Sequence, residues 1–386
     1  MRRMIALLGR RDEPTDALRE YCSGLAQVFG RLGVSLQLAD VRWDEQGWLR
    51  ALWSLWKQSR TWRGEWVLFQ HTALMWSSRG FPAGVLAVLG LLRLQGHQIA
   101  VVFHDVSAPP DSAWIARLRL SFQYRIMRLA YRSANRSILT VPLSSAPWLP
   151  RDPAKAVFVP VGANLPPIAA EPSQARASGG VRTVAIFGVT GGAHIPQEVA
   201  DIGFAVKWAR PEIGPMRLVV LGRGSTEAES ALRREFGGTD VPVSVLGLLP
   251  AEDVVRVLSS ADVLLFVRGQ ISSRRSSAIA GIACGLPVVG YEGPETGPPV
   301  TEAGVQLVPL GDRQGLARAL SHVLTSESLW QELHQRSLRA QAVHFSWDAI
   351  AARYLDALGG DRRYPARSAA HAQAEESGWV GWVNRK

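Results

Sequence analysis

The sequence predicts an α/β fold of two doubly wound, Rossmann-like halves facing one another across a cleft. Three observations carry this. The chain has 386 residues, beyond the size at which one hydrophobic core keeps growing, so two domains are expected. Short β-rich runs alternate with helical patterns along most of its length, the signature of βαβ units and a parallel sheet. Residues 166–181 (PPIAAEPSQARASGGV) are rich in Pro, Ala, Ser and Gly without apolar periodicity. They read as a linker between two rounds of that alternation.

In the first half, 1–165, Met4–Leu8 reads as a strand, Thr15–Gly33 as a helix and Ser35–Leu38 as a strand. A helix follows at Leu49–Ser59, a strand at Trp66–Gln70 and a helix at Pro82–Gln95. Ile99–His104 is the next strand, then a long helix near Ala113–Arg136 and short strands at Ser137–Val141 and Ala156–Pro160. In the second half, 182–345, strands are expected at Thr183–Phe187, Arg217–Leu221, Val243–Leu246, Val263–Val267, Pro287–Tyr291 and Val305–Val308. Helices are expected between them at Pro196–Arg210, Thr226–Phe236, Ala251–Ser259 and Ser276–Cys284. Three more follow at Arg313–Thr325, Ser328–His344 and Trp347–Leu358. The segment 346–358 is expected to return to the first half, and 359–386 reads as a flexible tail.

Composition removes several classes of function. With 47% apolar and 20% charged residues the chain is ordinary for a globular protein and wrong for a disordered one. Its longest apolar run, Ala83–Leu92, is too short to span a membrane. The first residues, MRRMIALLGRRDEP, hold too short an apolar stretch for a signal peptide. Cys22 and Cys284 are the only two cysteines and suggest neither a disulfide framework nor a metal site. The charge is lopsided. Residues 1–165 carry 21 Lys and Arg against 11 Asp and Glu, whereas the remainder carries 22 of each. The basic excess therefore belongs to the first half, where a surface should meet an anion.

The sharpest chemistry lies between Ala261 and Val289. A buried strand ends at Val267, the loop Arg268–Ser277 follows, and Ser276 or Ser277 can cap a helix of small residues. A helix N-terminus presents unpaired N–H groups and the positive end of its dipole, which suits a phosphate. Arg268, Arg274 and Arg275 add guanidinium groups able to neutralise a pyrophosphate. The next loop holds Glu295, Thr296 and Gly297, whose carboxylate and hydroxyl can meet sugar or ribose hydroxyls. Gly188 and Gly191, after the strand Thr183–Phe187, allow close backbone approach, and Arg223 follows the next strand. His104 and Asp105 end a buried strand at the rim of the first half. Gln70 and His71 end its neighbour and are expected on the acceptor side.

The runs VLGLLPAEDVVRVLSSADVLLFV and SSAIAGIACGLPVVGYEGPETGPP resemble the donor half of family-four glycosyltransferases with the GT-B fold. The FHD at Phe103–Asp105, VPVGANLP at Val159–Pro166, LVVLGRGS at Leu218–Ser225 and the first helix add to the resemblance, which spans about residues 4–358. It implies an acceptor-side first domain, with Asp16, Gln70, His71 and Asp105 on that side, and a nucleotide-sugar donor domain second. It implies that His104 touches the transferred sugar; Arg274 and Arg275, with Arg223 and Arg268, are the cations of this chain expected to serve the transfer. It implies as well a retaining reaction on a nucleoside-diphosphate sugar, which is a co-substrate, with no other cofactor. No Asp-x-Asp for a metal is present, and arginines with a helix end can stabilise the leaving group without one. Two departures stand out. Active members carry two glutamates where this chain has Ser272 and Ala280, and an Arg and a Lys where it has GVTGGAHIPQE.

Residues 113–136 hold six arginines and no acid. At 100° per residue Arg117, Arg125, Arg128, Arg132 and Arg136 share one arc, beside an apolar arc of Ile115, Leu118, Phe122, Ile126 and Leu129, with Arg119 the exception. Six of the fourteen tryptophans lie between Trp43 and Trp66. Together these point to an anionic membrane surface. The expectation is a glycosyltransferase of polysaccharide biosynthesis, cytoplasmic and peripheral on the cytoplasmic face of a membrane, with a saccharide or lipid-linked acceptor. The alternative is a catalytically inactive GT-B-like binding protein. Nucleic-acid binding lacks any recognition signature despite a pI near 10.3. A dinucleotide oxidoreductase lacks the third glycine of its fingerprint in GRGSTEAE.

Overall fold

Parallel pairing organises everything else in the chain. The computed structural model describes residues 2–12, 16–106, 114–166 and 180–359. The first sheet has six strands, β1 (Arg2–Leu8), β2 (Val34–Asp40), β3 (Trp66–His71), β4 (Gln98–Phe103), β5 (Arg136–Leu139) and β6 (Ala156–Phe158), in the order β2-β1-β3-β4-β5-β6. Its helices are α1 (Ala17–Arg31), α2 (Trp43–Gln46), α3 (Trp48–Ser59), α4 (Gly84–Leu94) and α5 (Trp114–Ser133). The second sheet also has six strands, β7 (Arg182–Phe187), β8 (Met216–Leu221), β9 (Val243–Gly247), β10 (Val263–Gln270), β11 (Val288–Glu292) and β12 (Val305–Pro309), in the order β12-β11-β10-β7-β8-β9. Around it lie α6 (Ile195–Ile213), α7 (Ser225–Glu235), α8 (Ala251–Ser259), α9 (Ser276–Ala283), α10 (Arg313–Thr325), α11 (Glu327–Ala340) and α12 (Trp347–Ala357).

Every strand pair is parallel. Such sheets are covered on both faces, which is why strands such as Val67–Phe69 and Val263–Phe266 are continuously apolar and buried. Right-handed crossovers send α1 to one face of the first sheet and α3, α4 and α5 to the other. Strand order reverses between β1 and β3 in the first sheet and between β7 and β10 in the second, and ligands of such sheets bind at these switch points.

The differences from the sequence reading are local. The helix expected from Leu49 is preceded by the short α2, because Gly47 at φ 78° turns the chain between two stacked indoles, Trp43 and Trp48, 5.2 Å apart. β10 runs on to Gln270 through a register shift between Phe266 and Gln270, so Arg268 sits in a strand end and not in the expected loop. Arg275 is the N-cap of α9 and no side chain caps it, in place of the expected Ser276 or Ser277. A π-turn at Gln341–Phe345 divides the helix expected over Ser328–His344 from α12. Most of the linker expected at 166–181 lies outside the described residues, as does the tail beyond Gly359.

The apolar arc of α5 is rotated from the one expected. Ile126, Met127 and Ala130 are buried, whereas Ile115, Leu118 and Leu129 are exposed. The sheet is met by the C-terminal half of the helix, and its first two turns stand clear of the core. Of the six clustered tryptophans Trp62 and Trp66 are core residues, Trp43 and Trp48 pack partly against the core, and Trp53 and Trp56 face outward.

The two sheets are held together at several points. α12 packs on α1, where Tyr21 donates to Tyr354 at 3.0 Å in a buried hydroxyl pair. Trp347 lies over Gly24 and Gly162. On the cleft side Val161 N–H donates to Ser273 O at 2.9 Å and Ser273 Oγ to Thr140 O at 2.7 Å. A Cβ on Gly24 would come within 2.7 Å of the Trp347 ring, and overpacking of this kind costs about 1–3 kcal/mol. Gly24→Ala should therefore lower the thermal midpoint by several degrees, whereas Gly30→Ala on the same helix, with open space at its Cβ, should not; calorimetry of both variants checks this.

Candidate functional site

The loops after β7 and β10 flank the switch point of the second sheet, and glycine lets them approach. Gly188 takes φ +84°, and a Cβ there would lie 2.7 Å from a terminal guanidinium nitrogen of Arg268. Arg268 thus lies directly on the backbone after β7. Gly191 serves another purpose than the one expected. Its missing Cβ makes room for the Glu227 carboxylate, which accepts from Gly192 N–H at 2.9 Å. Glu198 likewise accepts from Thr190 N–H at 2.8 Å. These N–H groups are satisfied from within.

The N-terminus of α9 is different. It carries no side-chain cap, and Ser276 and Ser277 are half-buried beside it. Three arginines surround it and their states differ. Arg274 donates to Glu295 through Nε at 2.7 Å and through Nη2 at 3.2 Å, and through Nη1 to Asp105 of the first domain at 3.3 Å. Burial opposes its charge, but the hydrogen bonds to Glu295 and the two carboxylates outweigh that and hold it above its ordinary range. Arg275 feels Glu295 and Asp105 only through space. Its buried Nε makes no hydrogen bond. Burial, followed by repulsion from Arg274 and Arg268, pushes it down to about 10. Arg268 is lowered as well, chiefly by burial. All three remain cationic near neutral pH, and the last two are short of counter-charge.

Several expected ligand contacts are engaged inside the protein. Glu295 is buried and its carboxylate is committed to Arg274, so it is not open to sugar hydroxyls as expected. Thr296 Oγ1 donates to Ile271 O at 2.6 Å and accepts from Gly293 N–H at 2.9 Å, closing the loop on itself. Gly297 abuts Pro142 of the first domain. Arg223, expected to hold a pyrophosphate, donates across the gap to Asp12 at 2.6 Å. Ser272 Oγ donates to Glu295 Oε2 at 3.4 Å. Ala280 is fully buried in α9.

On the facing wall His104 follows β4. Its Nε2 meets Gln70 Oε1 at 2.8 Å, while Gln70 Nε2 donates to Leu68 O at 3.3 Å. The amide orientation makes His104 Nε2 the protonated nitrogen and leaves Nδ1 as an acceptor. Tyr21 meets the imidazole edge-on at 5.5 Å. Burial, then His71 and Arg274, lowers His104 to about 3, so it is neutral. Gln70 and His71, expected to line the acceptor side, are fully buried because β3 is central and covered on both faces. Gln70 acts on the cleft only through His104. Asp16 is half-buried and caps α1, accepting from Arg19 N–H at 3.0 Å, so its carboxylate is also engaged. Asp105 does reach the cleft, on Arg274.

Between the walls is a cavity of about 170 Å³, lined by Thr72, His104, Asp105 and Asn164 from the first domain and Arg274 and Ser276 from the second. Tyr21 and Asn164 line it too and were not singled out in the sequence. Tyr21 sits on the apolar arc of α1, which reads as core. Asn164 has φ 49°, a left-handed conformation that asparagine tolerates.

Residues 187–326 match the family model described as Glycosyl transferases group 1. By that match the chain is a glycosyltransferase, and its two facing parallel sheets form the GT-B fold. Among solved structures it is similar to Anabaena HepE in complex with UDP and glucose, at 13% identity over 92% of this chain and 99% of that one, TM-score 0.64. A glycosyltransferase from Rickettsia africae is 11% identical over 92% and 97%, TM-score 0.64. A putative UDP-N-acetylglucosamine 2-epimerase from Listeria monocytogenes is 12% identical over 92% and 95%, TM-score 0.61. At these identities the likeness is one of fold. No curated protein matches in sequence.

His71 lowers in the same sense as His104, to about 4 through burial, and neither of its ring nitrogens is hydrogen-bonded. Above pH 6.5 both histidines are neutral in folded and unfolded chains and contribute no pH dependence. Below it the unfolded chain binds protons that the folded chain refuses, at about 1.4 kcal/mol per pH unit for each histidine. The thermal midpoint should accordingly fall from pH 6.5 toward pH 4. His97 and His344 are lowered in the same sense, so His71→Leu should make that fall shallower without removing it; an unchanged wild-type midpoint between pH 6.5 and 5 would refute the neutral assignment.

Proposed function

We propose that the chain transfers a sugar from a nucleoside-diphosphate sugar to a saccharide or lipid-linked acceptor, with retention of configuration and without a metal. The observation that carries this is the uncapped N-terminus of α9 beside Arg275, a largely buried cation with an unbonded Nε. A diphosphate there supplies the missing counter-charge. Arg275 and Arg268 then offset the negative charge that grows on the leaving group, aided by the helix end. Because Arg274 is already bonded to Glu295 and Asp105, its part is to fix the loop and to hold one residual donor direction toward the cleft. His104, neutral and with Nδ1 as acceptor, suits a sugar hydroxyl in the cavity it lines. The nucleotide sugar is a co-substrate and needs no further cofactor in this reading. HepE, which shares the fold, was solved with UDP and glucose, and this supports a uridine nucleotide as the first donor to try.

The exposed Arg117, Arg125, Arg128 and Arg132 of α5 support work at the cytoplasmic face of a membrane, where a lipid-linked acceptor resides. No helix among the described residues is long and apolar enough to cross it. A second reading, binding without turnover, is favoured by Ser272 and Ala280 at the places of the family's glutamates. Glu295 beside Ser272 argues for turnover, since it returns a carboxylate to one of those places.

Calorimetric titration with UDP and GDP tests the donor site. Arg275→Gln should weaken the nucleotide that binds by about ten- to a hundredfold, the worth of one charge-assisted hydrogen bond. Arg233→Gln, remote on α7, should not weaken it. Equal affinity in Arg275→Gln would remove the diphosphate from this loop. Tight nucleotide binding with no consumption of any donor sugar would favour the binding-only reading.

A further inference from the structure

We propose that the outer face of α3, α4 and α5 together is a docking surface for an anionic lipid bilayer. It deepens the membrane-side reading above and rests on it, replacing the α5 stripe with a surface built by topology. Right-handed connections place the three helices side by side on one face of the first sheet. Ser59 Oγ at the end of α3 donates to Gln95 Oε1 after α4 at 2.7 Å, and Arg93 of α4 donates to Ser133 O of α5 at 2.7 Å. Trp48 closes over Gly84.

Two properties of that face point to one partner. The first is apolar. Leu49, Trp53 and Trp56 are exposed at spacings of four and three on α3, Leu94 on α4, and Trp114 and Leu118 on α5. Leu49 and Leu94 are more than four-fifths exposed, and among the described residues nothing covers them. The second is charge. The three helices contain eight Lys and Arg and no Asp or Glu. Among the described residues none of the eight lies in an ion pair, whereas α7 and α8 pair their exposed arginines, as Arg233 with Glu229 and Arg256 with Asp253. A solvated face mixes signs; this one sets cations without acidic partners between exposed leucines and tryptophans. Lys57 sits 3.3 Å from the Trp53 ring centroid, keeping cation and indole at one level. Lipid phosphates meet the cations while the indoles and leucines enter the headgroup boundary. Nucleic acid would satisfy the cations but give the leucines no environment.

Flotation of the full chain with vesicles is the test. Binding is expected to vesicles of phosphatidylcholine with about one-third phosphatidylglycerol and not to phosphatidylcholine alone. Trp53→Ser with Trp56→Ser should cut the bound fraction about tenfold, and Arg117→Gln with Arg125→Gln comparably. Arg233→Gln with Arg256→Gln, on the second domain, should leave it unchanged. Binding to neither vesicle, equal loss in that control pair, or retention on DNA that exceeds vesicle binding and ignores the tryptophans would overturn the proposal. UDP and GDP affinity is measured on the same proteins. Its absence alongside intact vesicle binding would sink the donor reading alone, and the reverse would sink the docking surface together with the membrane-side reading while sparing the donor site.

Discussion

The arrangement of the cleft depends on the Arg274 guanidinium, shared between Glu295 of its own domain and Asp105 of the other. A cation mostly removed from water must be paired, and a pair of this kind contributes less to stability than to a unique geometry. Here the geometry is the placement of α9. With Arg274 tied to both domains, the end of α9 is held where Arg274 and Ser276 line the space between the sheets. The three arginines thereby separate into roles that their sequence similarity conceals. One is neutralised and holds the frame. The others carry charge that no ion pair among the described residues neutralises, Arg268 donating only to the Thr190 hydroxyl.

Fold alone does not select the reaction. The same two-sheet frame is shared with a glycosyltransferase from Rickettsia africae and with a putative 2-epimerase from Listeria monocytogenes. Function on such a frame lives in the loops at the switch points. In those loops Glu295 reaches Ser272 from the following loop, which sets a negative group beside the β10–α9 connection. That group is held by Arg274, so any part it plays passes through the interdomain bridge. The first domain answers with a neutral histidine, kept so by burial and oriented by the buried Gln70.

The sequence by itself determined the alternation of strands and helices, because parallel strands covered on both faces must be apolar throughout and helices between them must follow a 3.6-residue period. It also determined that Arg268, Arg274 and Arg275 precede a small-residue helix after a buried strand, and that His104 and Asp105 end another. Only the tertiary structure decided which of these groups are left without partners. Glu295, Thr296 and Arg223 read as open ligands because their partners Arg274, Ile271 and Asp12 lie 21, 25 and 211 residues away, beyond any local pattern; Asp16 meets Arg19 only three residues on, as a helix cap. Gln70 and His71 read as rim residues because a strand's end does not disclose what is packed above it. The three-helix basic face was invisible for a related reason: which helices share a side follows from strand order and crossover hand, and those emerge only when distant strands pair.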